Sequence, residues 1–205
     1  IKEQIQALGS NLIMVFPERG QSSANRLTAA DSQKLKNEAS YLTAVSGTTR
    51  KSFTVIGGTG DWETTVHGVE PGYLDIKLRT LSDGIFFNEK DLSSRNKVAV
   101  IGSTVAEQLF DTQAPIGMQI RINRVPFTVI GVLDSRGNTG MGDDQDDLVY
   151  VPLDTALTRL VNSRYINSIE MSVVSENLMK QAENEIEQIL RESHKLSADK
   201  ANDFR

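Results

Sequence analysis

The sequence predicts an α+β fold, and three observations support this class. Segments typical of strands and of helices are interleaved, and several strands follow one another as hairpin pairs instead of alternating singly with helices. The chain is 39% hydrophobic and 24% charged, which is ordinary for a globular protein. A chain of 205 residues can bury a core without disulfides, so the absence of Cys is compatible with this class.

The N-terminal part of the chain is predicted to contain helices on either side of a strand. Apolar residues at helical spacing indicate a short amphipathic helix over 1–8. The apolar run 11–16 is short and rich in branched side chains, which is typical of a buried strand. Thr28 and Asp31 form a capping-box pattern, so a helix is expected over 29–39.

Hairpin strands dominate the next part of the chain. The glycine run 57–60 could suggest a phosphate-binding loop, but Asp61 and Trp62 stand where that motif requires Lys and Ser or Thr. A hairpin turn is therefore the favoured interpretation. The strands expected here cover 42–45, 53–56, 64–69 and 98–101, the last leading into a short helix that ends at Phe110.

A second hairpin and a covering helix complete the predicted fold. Asn123 and Arg124 suit a two-residue turn, because Asn tolerates a positive φ. The segment around Met171 alternates apolar and polar residues, which predicts a strand buried on one face only. The remaining predicted elements are strands over 120–122, 125–133 and 148–151, a helix over 152–160, and an amphipathic helix over 178–189.

Charge and composition exclude several classes of function. The net charge of −5 and pI of about 5.1 lack the basic balance that is typical of a nucleic-acid-binding protein, and a local basic patch would have to overcome the overall negative charge. No run approaches the roughly 18 apolar residues that span a bilayer, and the start has no signal-peptide pattern. The chain opens on Ile1 and ends without a terminal motif, which predicts a fragment of a longer protein.

The residues with catalytic potential do not form a recognisable active-site pattern. His67 and His194 are the two histidines, and neither belongs to an HExxH motif that would place two zinc ligands on one helix face. No Gly-x-Ser-x-Gly elbow presents a nucleophile, and the absence of Cys removes thiolate chemistry. The sequence therefore predicts structural or solvated histidines and no enzyme activity.

An acidic loop and a single tryptophan are the candidate contact residues. Asp143, Asp144, Asp146 and Asp147 follow one another within six residues, a pattern that could suggest calcium. The spacing does not match an EF-hand loop, so carboxylates that bond nearby backbone amides are favoured over a metal site. Trp62 is either a partner contact or a lid over the core.

Four motifs, in one order along the chain, resemble the extracytoplasmic region of MacB-type ABC transporter permeases. The motifs are IQALGSNLIMV at 5–15, KVAVIGSTVAEQLF at 97–110, PIGMQIRINRVPFTVIGVL at 115–133 and DQDDLVYVPLDTALTRL at 144–160. The resemblance covers nearly the whole chain, with divergence mainly in 21–26 and 69–96.

The resemblance implies an extracytoplasmic domain held between the first and second transmembrane helices. It implies a porter-like subdomain with a mixed sheet and covering helices over 1–68 and 118–205, and an inserted, smaller, sabre-like subdomain over 69–117. The segments 1–8 and 198–205 would then be stalks leading to the bacterial inner membrane. In a source with an outer membrane, the domain would be periplasmic.

The resemblance also implies a function. The domain would transmit ATP-driven motion across the membrane in an efflux or export transporter, as one half of a dimer, and could engage a periplasmic adaptor and an outer-membrane exit duct. ATP and Mg would belong to a cytoplasmic ATPase domain, so no cofactor is expected in this chain. The alternative is a ligand-binding or sensor module of a membrane protein.

Overall fold

The computed structural model describes residues 11–18, 26–137 and 143–205, and the predicted helix over 1–8 lies outside these residues. The strands, in chain order, are β1 (Leu12–Val15), β2 (Leu27–Thr28), β3 (Leu42–Gly57), β4 (Gly60–Val69), β5 (Leu81–Gly84), β6 (Val98–Ile101), β7 (Gln119–Ile122), β8 (Val125–Leu133), β9 (Leu148–Pro152), β10 (Tyr165–Ile166) and β11 (Ser168–Val173). The helices are α1 (Ala29–Glu38), α2 (Tyr73–Lys77), α3 (Glu89–Ser93), α4 (Ser103–Phe110), α5 (Leu153–Arg159) and α6 (Met179–Ser193), with a 3-10 turn at Glu176–Leu178.

These elements form two compact units. The first unit contains the described residues up to Thr48, together with Gly72–Leu78 and Arg164–Arg205. The second unit contains Thr49–Pro71 and the described residues of Arg79–Ser163. Helices and a mixed sheet are both present, so the predicted α+β class is confirmed.

The first unit is built on a three-stranded antiparallel sheet. Its strand order is β1–β11–β3, and β2 pairs separately with β10. The predicted capping box is present at the start of α1, where the Thr28 backbone N–H donates to Asp31 Oδ2 at 3.0 Å. The predicted apolar stripe of α6 is also present, because Ala182, Ile186 and Ile189 are buried.

The second unit is a small closed barrel. β4 pairs with β3 and β9, β6 pairs with β9 and β8, and β7 pairs with both β8 and β3, so the strands return to their starting point. The barrel interior is filled by side chains, as expected for a barrel this narrow. Its fully buried members include Val55, Ala99, Ile101, Ile120, Ile122, Phe127, Val129, Val149 and Val151. Each buried Val, Ile or Phe among them contributes about 1.5–3 kcal/mol by leaving water.

Two local predictions in this unit depend on turn chemistry, and both are confirmed. β3 and β4 meet through the glycine run, with Gly57 opposite Gly60. Gly58 has a φ of +51° there, and a Cβ on it would lie 2.1 Å from the Leu109 carbonyl oxygen, so only glycine fits. Asn123 and Arg124 both have positive φ, 51° and 65°, as a two-residue hairpin turn with the type I′ twist requires.

The predicted subdomain boundaries do not coincide with the two units. The predicted insert contains two strands, β5 and β6. β5 pairs with β8, and β6 pairs with β8 and β9, which lie in the range 118–205 assigned to the other subdomain. Pairing between strands so distant in sequence is not visible in local composition. The assignment of either unit to a porter-like or a sabre-like subdomain remains a prediction.

Two strand predictions are corrected by the structure. The segments 42–45 and 53–56 belong to one continuous strand, β3, and are not separate. β11 was expected to bury one face only, yet all six of its residues are buried. Its polar side chains are accommodated by hydrogen bonds, because Glu170 accepts from the Tyr73 hydroxyl at 2.8 Å and lies 2.7 Å from Lys77 Nζ.

Candidate functional site

The predicted contact residues all belong to the second unit: the four aspartates lie on the loop that precedes β9, and Trp62 lies in β4. Asp143 and Asp144 are exposed, whereas the side chain of Asp146 is 4% exposed. The structure thus separates two surface carboxylates from one that is part of the interior. The prediction of a partner contact requires accessible groups, and Asp143 and Asp144 meet this requirement.

Asp146 is the centre of a buried hydrogen-bond network. Its carboxylate lies 3.2 Å from the Arg79 guanidinium and accepts from the Ser135 hydroxyl at 2.9 Å. The backbone N–H groups of Arg136 and Gly137 donate to it at 2.8 Å each. Burial alone would raise the pKa of the Asp146 carboxyl, but these hydrogen bonds outweigh it and hold the pKa below its ordinary value.

Arg79 is a residue that sequence reasoning missed. Its side chain is 4% exposed and donates to the backbone carbonyls of Gln145 at 2.7 Å and Asp134 at 3.1 Å. The guanidinium therefore ties both ends of the acidic loop to one point. No local pattern indicates this role, because the partners lie 55 to 67 positions away in sequence.

Trp62 and Asp147 are joined in the structure. The Trp62 indole N–H donates to Asp147 Oδ1 at 2.9 Å, and the Thr64 hydroxyl donates to the same oxygen at 2.7 Å. The Trp62 ring is half-buried and packs against the barrel core. This arrangement agrees with the interpretation of Trp62 as a lid over the core, and its role as a partner contact remains a prediction.

Asp144 also shapes its own loop. It accepts from the Thr104 hydroxyl at 2.6 Å and from the Asp146 backbone N–H at 2.9 Å. The loop approaches the start of α4 so closely that a Cβ on Gly102 would lie 2.1 Å from the Asp146 carbonyl oxygen. The exposed carboxylates are therefore presented from a firmly held backbone.

The two histidines occupy unrelated places. In the second unit, the half-buried ring of His67 packs edge-on against Tyr150, with ring centroids 5.6 Å apart. In the first unit, His194 lies between two carboxylates, 2.9 Å from Asp31 and 2.6 Å from Asp203. The sequence predicted a structural or solvated role for His194 but did not identify these partners.

Two further features concern residues 11–18, 26–137 and 143–205, namely metal binding and membrane spanning. Within these ranges, no group of three or more His, Asp or Glu side chains has the arrangement needed to hold a metal ion. In the same part of the chain, no helix has both the length and the apolar character needed to cross a bilayer.

Comparison with known proteins gives a consistent result. A family model described as the MacB-like periplasmic core domain matches residues 1–189. The chain is 32% identical to a macrolide export ATP-binding/permease protein MacB of Chlorobaculum tepidum, over all of this chain and 32% of that protein. It is 34% identical to the MacB protein of Rhodospirillum rubrum, over 93% of this chain and 30% of that protein. The chain thus spans about a third of the length of these relatives.

Solved structures show the same fold. The periplasmic region of MacB from Actinobacillus actinomycetemcomitans superimposes with a TM-score of 0.81 at 24% identity, over 99% of this chain and 91% of that one. The extracellular domain of the noncanonical ABC-type transporter YknZ from Gram-positive bacteria gives 0.77 at 23% identity, over 95% and 98%. The family match over residues 1–189 settles the assignment: the chain belongs to the MacB-like periplasmic core domains, the extracytoplasmic part of MacB-type ABC transporter permeases.

Proposed function

We propose that this domain transmits ATP-driven motion of the membrane helices to the extracytoplasmic side, where the motion expels the transported substrate. The observation that carries this proposal is the pairing of two distant segments of the first unit. The Phe16 backbone N–H donates to the Arg205 carbonyl at 2.7 Å, and the Arg205 N–H donates back at 2.8 Å. Movement applied near either segment therefore reaches the same unit.

Transmission requires a body that moves without deforming. In the first unit β11 is paired on both sides, by β1 and β3. Packed interiors of this kind resist compression, so a displacement at one edge is carried through the unit and not absorbed locally. Rigid-body rotation of domains is an established way of relaying a conformational change.

The remaining parts of the proposal concern the parent protein. Two relatives of this chain are named ATP-binding/permease proteins, which supports a parent with a separate ATPase domain. We assign the binding of ATP and Mg to that ATPase domain and assign no catalytic chemistry to the present domain. We also propose that the parent transporter forms a dimer with a second copy in the membrane. Substrate would be moved by the paired extracytoplasmic domains as the ATPase domains open and close.

A thermal-shift measurement on the chain alone tests the absence of a ligand site. Addition of ATP with Mg, or of a macrolide, is expected to leave Tm unchanged, because only a ligand that binds the native state raises it. A rise of several degrees with ATP would contradict the non-catalytic assignment. A similar rise with a small transported compound would favour the alternative, a ligand-binding or sensor module.

We also propose that Asp143 and Asp144 contact the periplasmic adaptor, because they are the exposed members of the acidic loop. Asp143→Asn with Asp144→Asn is expected to weaken capture of the adaptor by the parent transporter at least about tenfold at low salt, since rim charges govern association. Capture would be measured by surface plasmon resonance. The matched control is Glu107→Gln with Asp111→Asn, two exposed acids elsewhere in the second unit, which should leave capture unchanged. An equal loss of adaptor capture in the two double variants would contradict the assignment of Asp143 and Asp144 as adaptor contacts.

A further inference from the structure

A histidine held between two buried carboxylates fixes the C-terminal segment of the first unit. His194 Nε2 lies 2.9 Å from Asp31 Oδ2, and His194 Nδ1 lies 2.6 Å from Asp203 Oδ1. The side chains of His194, Asp31 and Asp203 are 9%, 4% and 7% exposed. Asp31 also accepts from the Ser193 hydroxyl at 2.5 Å.

The geometry fixes the protonation of the ring. Ionised carboxylates only accept hydrogen bonds, so each of the two ring nitrogens must donate. A neutral imidazole has one N–H, and it would leave one buried carboxylate facing a nitrogen lone pair. Only the imidazolium satisfies both partners, which makes this a charge-assisted arrangement. Neither ring nitrogen has a lone pair left for a metal ion or for proton abstraction.

The carboxylate of Asp203 belongs to the segment that pairs with the N-terminal strand. The Glu18 N–H donates to the Asp203 carbonyl at 3.0 Å, and Pro17 lies opposite Phe204 in an antiparallel bridge. The Phe204 side chain is 7% exposed and packs edge-on against the His194 ring, with centroids 5.9 Å apart. The histidine therefore anchors this segment by both charge and packing.

We propose that Asp31, His194 and Asp203 form a proton-dependent latch that fastens segment 203–205 onto segment 16–18, and that the latch releases when His194 loses its proton. The latch is a conformational device of the first unit and does not depend on the proposed transport function. His194 acts here as a positioning residue.

Several other charged groups on the elements around the ring have partners of their own. On α1, Lys34 pairs with Glu38 at 2.8 Å and with Glu192 of α6 at 3.7 Å. On α6, Arg191 donates to the Asn202 side chain and to the Ser197 carbonyl. After α6, Asp199 accepts from the Ser197 hydroxyl, and the Arg205 guanidinium lies over the Phe16 ring. Lys195 and Lys200 are further charged residues in the segment after α6.

The direction of the pH dependence follows from the pKa values. Hydrogen bonding to Asp31 outweighs burial and raises the pKa of His194 from 6.5 to about 9. The stabilisation is therefore complete below pH 6.5 and is lost as pH rises through about 9. For Asp31, burial alone would raise the pKa, but the bonds to His194 and Ser193 lower it below 3.8, so its contribution is lost only as pH falls below that value. The latch is closed at neutral pH and opens on the alkaline side.

Nuclear magnetic resonance on the 205-residue chain tests the latch without any variant. The ring of His194 is expected to titrate near pH 9, whereas a solvated His would titrate near 6.5. Above that transition, and after correction for the intrinsic rate, the amides of Phe16, Glu18 and Arg205 should exchange with solvent at least about tenfold faster. The amide of Ile13, in β1, should keep its protection. A His194 titration near 6.5 would overturn the proposal.

A matched pair of variants isolates the charge. Asp203→Asn is expected to weaken the proton affinity of His194 at least about tenfold and to speed exchange at Phe16, Glu18 and Arg205 at neutral pH. Asp199→Asn removes a carboxylate four residues before Asp203 that accepts a hydrogen bond from the Ser197 hydroxyl. This variant should change neither the proton affinity of His194 nor the exchange rates. The latch would be refuted if Asp203→Asn showed the amide exchange rates of the wild-type protein and an unchanged His194 titration.

Discussion

At the scale of single residues, the acidic loop before β9 contains carboxylates with different roles. Asp146 and Arg79 are each 4% exposed at the side chain, so removing one partner leaves the other charge buried and unpaired. Asp146→Ala is therefore expected to lower the free energy of unfolding by about 3 kcal/mol. Urea denaturation followed by circular dichroism measures this difference.

Asp143→Ala is the matched control for that prediction, because Asp143 is an exposed acid of the same loop. Its effect should stay within about 0.5 kcal/mol. Similar losses for both variants would mean that the Asp146 network does not stabilise the native state.

The contribution of the Asp146 carboxylate should also disappear as pH falls through its lowered pKa, since the protonated group no longer attracts the guanidinium.

Sequence reasoning reached these residues only in part. It identified the acidic run and favoured carboxylates that bond backbone amides, and Asp146 does accept from the N–H groups of Arg136 and Gly137. It could not identify Arg79 or the partners of His194. Both sets meet only through tertiary contacts, and a lone Arg or His has no spacing pattern that points to a distant carboxylate.

At the scale of elements, the hairpin between β7 and β8 provides a sharp test of turn chemistry. Arg124 has a φ of 65°, which costs an L residue about 1 kcal/mol. Arg124→Gly is therefore expected to raise the free energy of unfolding by about 0.5–1 kcal/mol, since glycine adopts this conformation without strain. Differential scanning calorimetry should record a small increase in Tm.

The control lies three residues earlier in the same hairpin. Arg121 is also exposed, but it lies within β7, which pairs on both sides with β3 and β8. Arg121→Gly should lower the free energy of unfolding by about 1 kcal/mol, because glycine weakens a strand interior. Effects of the same sign in the two variants would contradict the assigned turn.

Elements set by local chemistry were predictable, and elements set by distant partners were not. The cap at Thr28 and the turn at Asn123 depend on residues that are adjacent in sequence, and both are present. The continuity of β3 was missed because residues 46–52 have no apolar alternation. The second buried face of β11 was missed because the hydroxyl pairs that accommodate its serines, such as Ser168 with Thr48 at 2.7 Å, form between strands.

At the scale of the whole molecule, the fold class was predictable from the interleaved elements and the family from the ordered motifs, whereas the closure of the barrel was not predictable from either. The motifs are local features that follow one another along the chain. The barrel of the second unit, in contrast, closes because β7 pairs with both β3 and β8. Closure of a barrel depends on which strands pair with each other, and the residue pattern of one strand does not indicate its pairing partners. The insert at 69–117 that the resemblance implies stays a prediction, and the second unit includes strands on either side of that range.

The proposed function is the transmission of motion, so the distance between two copies of the domain tests it most directly. This domain has no Cys, so in a parent transporter from which any Cys outside the domain has been removed, a spin label attaches only at the introduced site Lys180→Cys, on the exposed face of α6. In the dimeric parent transporter, double electron–electron resonance should show the label-to-label distance shifting by about 5 Å or more between ADP and a non-hydrolysable ATP analogue, as expected for rigid-body transitions. A parent variant unable to bind ATP should show no shift. Identical distance distributions in the two nucleotide states of the active transporter would contradict the proposed transmission of motion.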